Sequence, residues 1–129
     1  MLEELEKIFT GLFDASIFMN LHRLPELFCG FVRRPSEGPT LYPVACSPQT
    51  WATASVFLLL QACMGLSFDA PQKKISFSYP ILPPSIQHIS IKNLTFAGGS
   101  MDLNLVRHET DVGVIVVRKE GEVDTIITK

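Results

Sequence analysis

The stretch Pro48–Met64, PQTWATASVFLLLQACM, contains no charged residue, and it limits the fold more than any other feature of the sequence. Ser47 offers an N-cap hydroxyl, Pro48 suits the first helical position, and Gly65 supplies a C-terminal stop. The segment therefore predicts a helix that is apolar on nearly every face, and such a helix needs neighbours on all sides. One other long helix is available. Leu5, Ile8, Phe9, Leu12, Phe13 and Ile17 recur at the i, i+3, i+4, i+7 spacing, predicting an amphipathic helix over residues 2–18. Glu3, Glu4 and Glu6 sit at its electropositive end. A single partner cannot enclose the chargeless helix, which has the character of a member of a larger helical assembly.

Near residue 70 the period of the apolar residues changes from helical to alternating. Ile75-Phe77-Tyr79, Ile89-Ile91, Met101-Leu103-Leu105, Val112-Val114-Val116 and Val123 to Ile127 read as short strands. Gly98-Gly99 and Glu120-Gly121 read as hairpin turns, and His108 to Asp111 as a looser one. The expected fold class is α+β: two helices packed on one small antiparallel β-sheet of four or five strands. The expected division places the helices and their connection in residues 1–70 and a β appendage in residues 71–129.

Several function classes are excluded on residue content. The net charge is −2 and the basic residues are scattered, so no nucleic-acid partner is expected. The longest apolar run, Val56 to Leu60, is far too short to cross a bilayer, and the acidic start MLEELEKIF does not read as a secretory signal. Cys29, Cys46 and Cys63 are widely spaced and odd in number, which fits a reducing, cytoplasmic compartment and buried or half-buried thiols. His22, His88 and His108 lie far apart with no second ligand at helical or strand spacing, so no metal is expected. Ala97-Gly98-Gly99-Ser100 lacks the lysine of a phosphate loop and reads as a turn, and no cofactor is implied.

What remains is the connection over residues 20–46, framed by Pro25, Pro35, Pro39 and Pro43. A loop of that length in a small domain is usually functional. Within it, RLPELFCGF places the carboxylate of Glu26 between Pro25 and bulky apolar residues. RLPELFCGF followed by YPVACSPQTWATASVFLLLQA resembles the C-terminal end of the catalytic domain of amylo-alpha-1,6-glucosidases, the glycogen debranching-type glycosidases built on an alpha/alpha toroid. The stretch ISIKNLTFAGGSMDLNLVRH is similar to the small β appendage that follows the barrel in bacterial members.

This resemblance implies that the two helices are the last hairpin of the toroid and that the chemistry is inverting hydrolysis of an α-glucosidic bond. One carboxyl group protonates the leaving oxygen while another activates water on the opposite face, about 6.5–9.5 Å away. Glu26 matches the general base, and Gln49 and Trp51 match substrate-lining or supporting positions. The family's general acid has no counterpart: Asp14 lies in the first helix, outside any matching motif. About ten helices of the barrel have no counterpart either. The implied reading is a C-terminal fragment with an α-glucan or oligosaccharide substrate, inactive alone, that joins a missing barrel chain or self-associates. Two other readings stay open. One is a carbohydrate-binding or protein-interaction module that stacks sugars on Phe77, Tyr79 and Phe96. The other is a small intact enzyme pairing Glu26 with Asp14 or Glu37.

Overall fold

The computed structural model describes residues 2–129 and divides into two units, the first reaching to Leu60 and the second running from Gln61 to Lys129. The first unit holds helix α1 (Leu2–Ile17), a short 3-10 turn (Asn20–His22), the proline-rich connection, and most of helix α2 (Thr50–Cys63). α1 closes with two i to i+3 bonds, from the Phe18 N–H to the Ala15 carbonyl and from the Met19 N–H to the Ser16 carbonyl, which tighten its last turn. Leu21 (φ 53°) and His22 (φ 56°) then turn left-handed and end the helical path.

The connection is stitched rather than structureless. The Glu26 N–H donates to the Cys46 carbonyl (2.8 Å) and the Cys29 N–H to the Thr40 carbonyl (2.9 Å), and Phe28 and Leu41 form an isolated antiparallel bridge. Two limbs of the loop therefore pair as a short irregular ribbon, which satisfies backbone groups that a long loop would leave to water. α2 starts two residues after the expected Pro48. The Ser47–Pro48 peptide bond is cis. Gln49 is the residue that caps: its N–H donates to the Leu24 carbonyl (3.0 Å), while its own carbonyl accepts the Thr53 N–H (2.9 Å). At the other end Gly65, at φ +57°, stops the helix as expected, and its N–H returns to the Ala62 carbonyl (3.1 Å).

The second unit corrects the expected fold class. Helices packed on one antiparallel sheet are not what forms. The described residues form two three-stranded sheets, ordered β1-β2-β6 and β3-β4-β5. The strands are β1 (Leu66–Asp69), β2 (Lys74–Ser78), β3 (His88–Phe96), β4 (Gly99–Arg107), β5 (Val112–Glu120) and β6 (Asp124–Thr128). β3, β4 and β5 form an antiparallel meander, but β6 pairs with β2 in parallel, Lys74 opposite Asp124 and Ser78 opposite Thr128.

The physical reason lies at Glu120-Gly121, which is not a hairpin turn. After Gly121 (φ +80°) the chain leaves the meander, and Val123 is buried at 1% exposure. Val123 lies so close to Gly99 that a Cβ there would come within 2.6 Å of its Cγ2, so only glycine admits this crossing. β1 is only four residues long, too short for its alternation to stand out after the helix. The central strands carry the core: Ile75 and Phe77 of β2 and Met101, Leu103 and Leu105 of β4 are fully buried. Alternation in β4 is strict, as a strand with one buried face requires.

Candidate functional site

Glu26 is positioned by its neighbours on both sides. Leu24 and Pro25 are buried and fix the backbone, while Glu26 itself is half-buried. Its N–H binds the Cys46 carbonyl and its Oε2 accepts the Cys46 N–H at 3.3 Å, so one residue across the ribbon holds both main chain and carboxylate. The Leu24 carbonyl also accepts the Gln49 N–H and the Thr53 hydroxyl (3.4 Å), which ties the LPEL element to the start of α2. Gln49 is half-buried, and its Oε1 accepts the Thr50 N–H at 3.1 Å. Trp51, in the first turn of α2, is 66% exposed. Hydrogen bonds therefore tie the Leu24–Glu26 stretch to Cys46 and Gln49, whereas Trp51 joins none of them and its ring faces solvent.

The other acids considered with Glu26 are engaged elsewhere. Asp14 pairs with Arg33 at 2.7 Å and Glu37 with Arg34 at 2.9 Å. Both acids line a cavity of about 280 Å³ between α1 and the proline-rich connection, together with Phe18, Phe28 and Phe31, and Glu26 is not part of its wall. Asp14 and Glu37 therefore face a cavity that Glu26 does not line.

Cys29 is half-buried with its thiol 3.5 Å from the Leu41 carbonyl, and Cys63 is buried, but Cys46 is exposed, contrary to the expected burial. Cys46 engages Glu26 through its backbone, so its side chain is left outside. Among the described residues no group of three His, Cys, Asp or Glu side chains is placed to hold a metal. Among them, too, no helix is long and apolar enough to cross a membrane.

The three rings offered for sugar stacking do not share a face. Phe77 is fully buried in β2, and Phe96 of β3 packs on Phe68 of β1 with ring centroids 5.2 Å apart. Tyr79 stands alone, 70% exposed. It lines a second cavity, about 320 Å³, with Arg107, His108, Glu109, Asp111 and Lys129. In the sequence, His108 to Asp111 reads as a loose turn and carries no signal of a site.

No family model, curated protein or solved structure matches this chain.

Proposed function

We propose that this chain supplies the terminal helices and general-base loop of a glycogen debranching-type α-glucosidase, with Glu26 as the base and an α-glucan as substrate. The supporting observation is the two-point hold of Glu26 by Cys46, which fixes a half-buried carboxylate among the apolar neighbours Leu24, Pro25, Leu27 and Phe28. A general base must be placed within reach of the proton it takes, and a clamped carboxylate meets that need better than a freely rotating one. In the reaction, Glu26 takes a proton from water as the water oxygen bonds to the anomeric carbon. The glycosidic C–O bond breaks, and the leaving oxygen receives a proton from a carboxylic acid on another polypeptide. Gln49 and Trp51 line the approach to the base.

The same reading accounts for the apolar surface of the first unit. Trp51, Phe57 and Leu58 of α2 are 66%, 70% and 62% exposed, a surface made to be covered by other helices, in a barrel chain or in a second copy of this one. Exposed thiol at Cys46 fits a reducing, cytoplasmic setting.

The test is a chimera in which residues 1–70 replace the matching terminal segment of a bacterial debranching-type glucosidase. On isomaltose it releases glucose with inverted anomeric configuration, followed by NMR, and Glu26→Gln lowers kcat by about 10²-fold or more. A folded chimera whose Glu26→Gln variant keeps full activity removes Glu26 from the chemistry.

A further inference from the structure

We propose that the second unit carries a separate binding site for a neutral sugar ring, in the cavity beside the β4–β5 turn, with Tyr79 as its stacking platform. The geometry asks for a neutral sugar; that the sugar is an α-glucan rests on the function proposed above, whereas the site itself does not depend on Glu26. Tyr79 follows β2 directly, and its N–H is fixed to the Thr128 carbonyl at 2.8 Å. Its backbone adopts φ 49°, the left-handed region that bulky residues seldom occupy. Folding gains little from a ring that stays 70% exposed, yet the fold holds this ring in a strained conformation at the edge of a cavity. Leu21 is as exposed and as left-handed where a helix ends, but Tyr79 borders a cavity with a polar wall, and that combination points to a role in binding. An exposed phenol with one apolar face and a hydroxyl at its tip is well suited to lie against a sugar ring.

The polar wall selects the ligand's charge. Arg107 donates through Nε to the Ile86 carbonyl (3.3 Å) and through Nη2 to the Leu82 carbonyl, so its guanidinium is fixed. Nη1 has no protein partner among the described residues. Lys129 is bonded to Asp111, and the Lys129 ammonium holds the Asp111 carboxyl below its ordinary range. Glu109 has no ion-pair or hydrogen-bond partner among the described residues. The His108 ring lies over Gly113, where a Cβ would approach Nε2 to 2.8 Å, so glycine makes room for the imidazole. The side chains of the wall contribute two cations, Arg107 and Lys129, and two carboxylates, Glu109 and Asp111, so it offers donors and acceptors side by side. An anionic ligand gains no net attraction from such a wall, and a plain hydrocarbon leaves its polar groups unpaired. A neutral polyol with a flat apolar face uses all of it.

The test is an amide-resolved NMR titration of the full chain with maltoheptaose, with cellohexaose, glucuronate and inorganic phosphate as comparators. Maltoheptaose is expected to shift the amides of Tyr79 and of residues 107–110. Tyr79→Gly removes the ring and relaxes the left-handed backbone, so the fold is kept while binding weakens about tenfold; Tyr79→Phe keeps it within about twofold, and Glu109→Gln weakens it about fivefold. Cellohexaose binding at Tyr79 in place of maltoheptaose keeps the sugar site and overturns the α-glucan assignment. Tighter binding of glucuronate or phosphate, an unaffected Tyr79→Gly variant, or no titration by either oligosaccharide overturns the site. Shifts confined to residues 23–51 overturn it too, while leaving the Glu26 reading intact.

Discussion

The two units treat their apolar residues in opposite ways. In the second, Ile75, Phe77, Met101, Leu103 and Leu105 are wholly buried, and the β-strands supply their own core. In the first, Phe9 and Leu24 are the large apolar side chains that reach burial, while Val32 (90%), Phe31 (73%) and Leu21 (73%) lie open with the exposed face of α2. The first unit is held by backbone pairing across the ribbon, by its caps and by surface ion pairs, each a small contribution. One unit is built around a core, and the other leaves most of its large apolar side chains exposed.

That contrast is broken or upheld most directly by deleting a ring from each side. Phe77→Ala removes a fully buried phenyl and is expected to cost about 3–5 kcal/mol, read as a lowered urea midpoint of the second unit. Phe57→Ala, at an exposed ring of α2, is expected to change stability by no more than about 0.5 kcal/mol. Equal losses at the two positions would show that α2 has a covered face after all.

Next in size is Gly65→Ala. The residue is left-handed, and an added Cβ would lie 2.0 Å from the Ser78 carbonyl oxygen, to which no adjustment of a side chain gives relief. The φ penalty alone is about 1 kcal/mol, and displacement of the backbone adds to it. Loss of the Ser78 N–H to Gly65 carbonyl bond (3.0 Å) should appear as faster hydrogen exchange at Ser78.

How much of this was legible beforehand differs between the units for the same reason. Local signals are legible: the span of α1, the glycine stop of α2 and the positions of β2 to β5 are all set by neighbouring residues, although burial along β5 does not alternate as Val112-Val114-Val116 predicts. Pairing is not, because β6 joins β2 with partners fifty positions apart and its sequence, DTIIT, suits either partner and either direction. β1 was missed because four residues carry too little alternation to stand out after a helix. In the candidate site, Pro25 and Glu26 were visible as an odd charge in apolar company, but the hold by Cys46 depends on a ribbon that the prolines conceal. Tyr79 was visible as an alternating aromatic, and its solitary exposure followed only from where β2 ends.

A third way to sharpen the contrast uses the surface itself. With the exposed rings of α2 as the contact, the chain is expected to self-associate in the absence of a barrel partner, and the paired change Phe57→Asp with Leu58→Asp to leave it monomeric by light scattering. The second unit's urea transition should not move. A wild-type chain that is monomeric at high concentration removes the contact.

The smallest expected effect lies on the outer surface of the meander, where Asp102 meets Arg118 across β4 and β5. Arg118 grips the carboxylate at two points, Nε to Oδ2 at 3.0 Å and Nη2 to Oδ1 at 3.2 Å, and also reaches Glu120 at 2.7 Å. The Asn93 N–H adds a 2.7 Å bond to Oδ1, pinning the β3 bulge. The Arg118 bonds first, and the Asn93 bond second, hold the Asp102 carboxyl below its ordinary range. A carboxyl whose pKa is depressed by folding stabilises the native state above the unfolded value of about 3.9, and that contribution is lost as pH falls through the folded value. Acid should therefore weaken the second unit below about pH 4, and less steeply in Asp102→Asn. Asparagine keeps an acceptor for the Asn93 N–H, so the variant isolates the ion pair from the bulge. Both partners are partly exposed, so the difference should be small and shrink further in 1 M salt, where the screening length is about 3 Å. An Asp102→Asn variant with the wild-type pH slope would remove the pair from the stability of the sheet and leave the buried core to carry it alone.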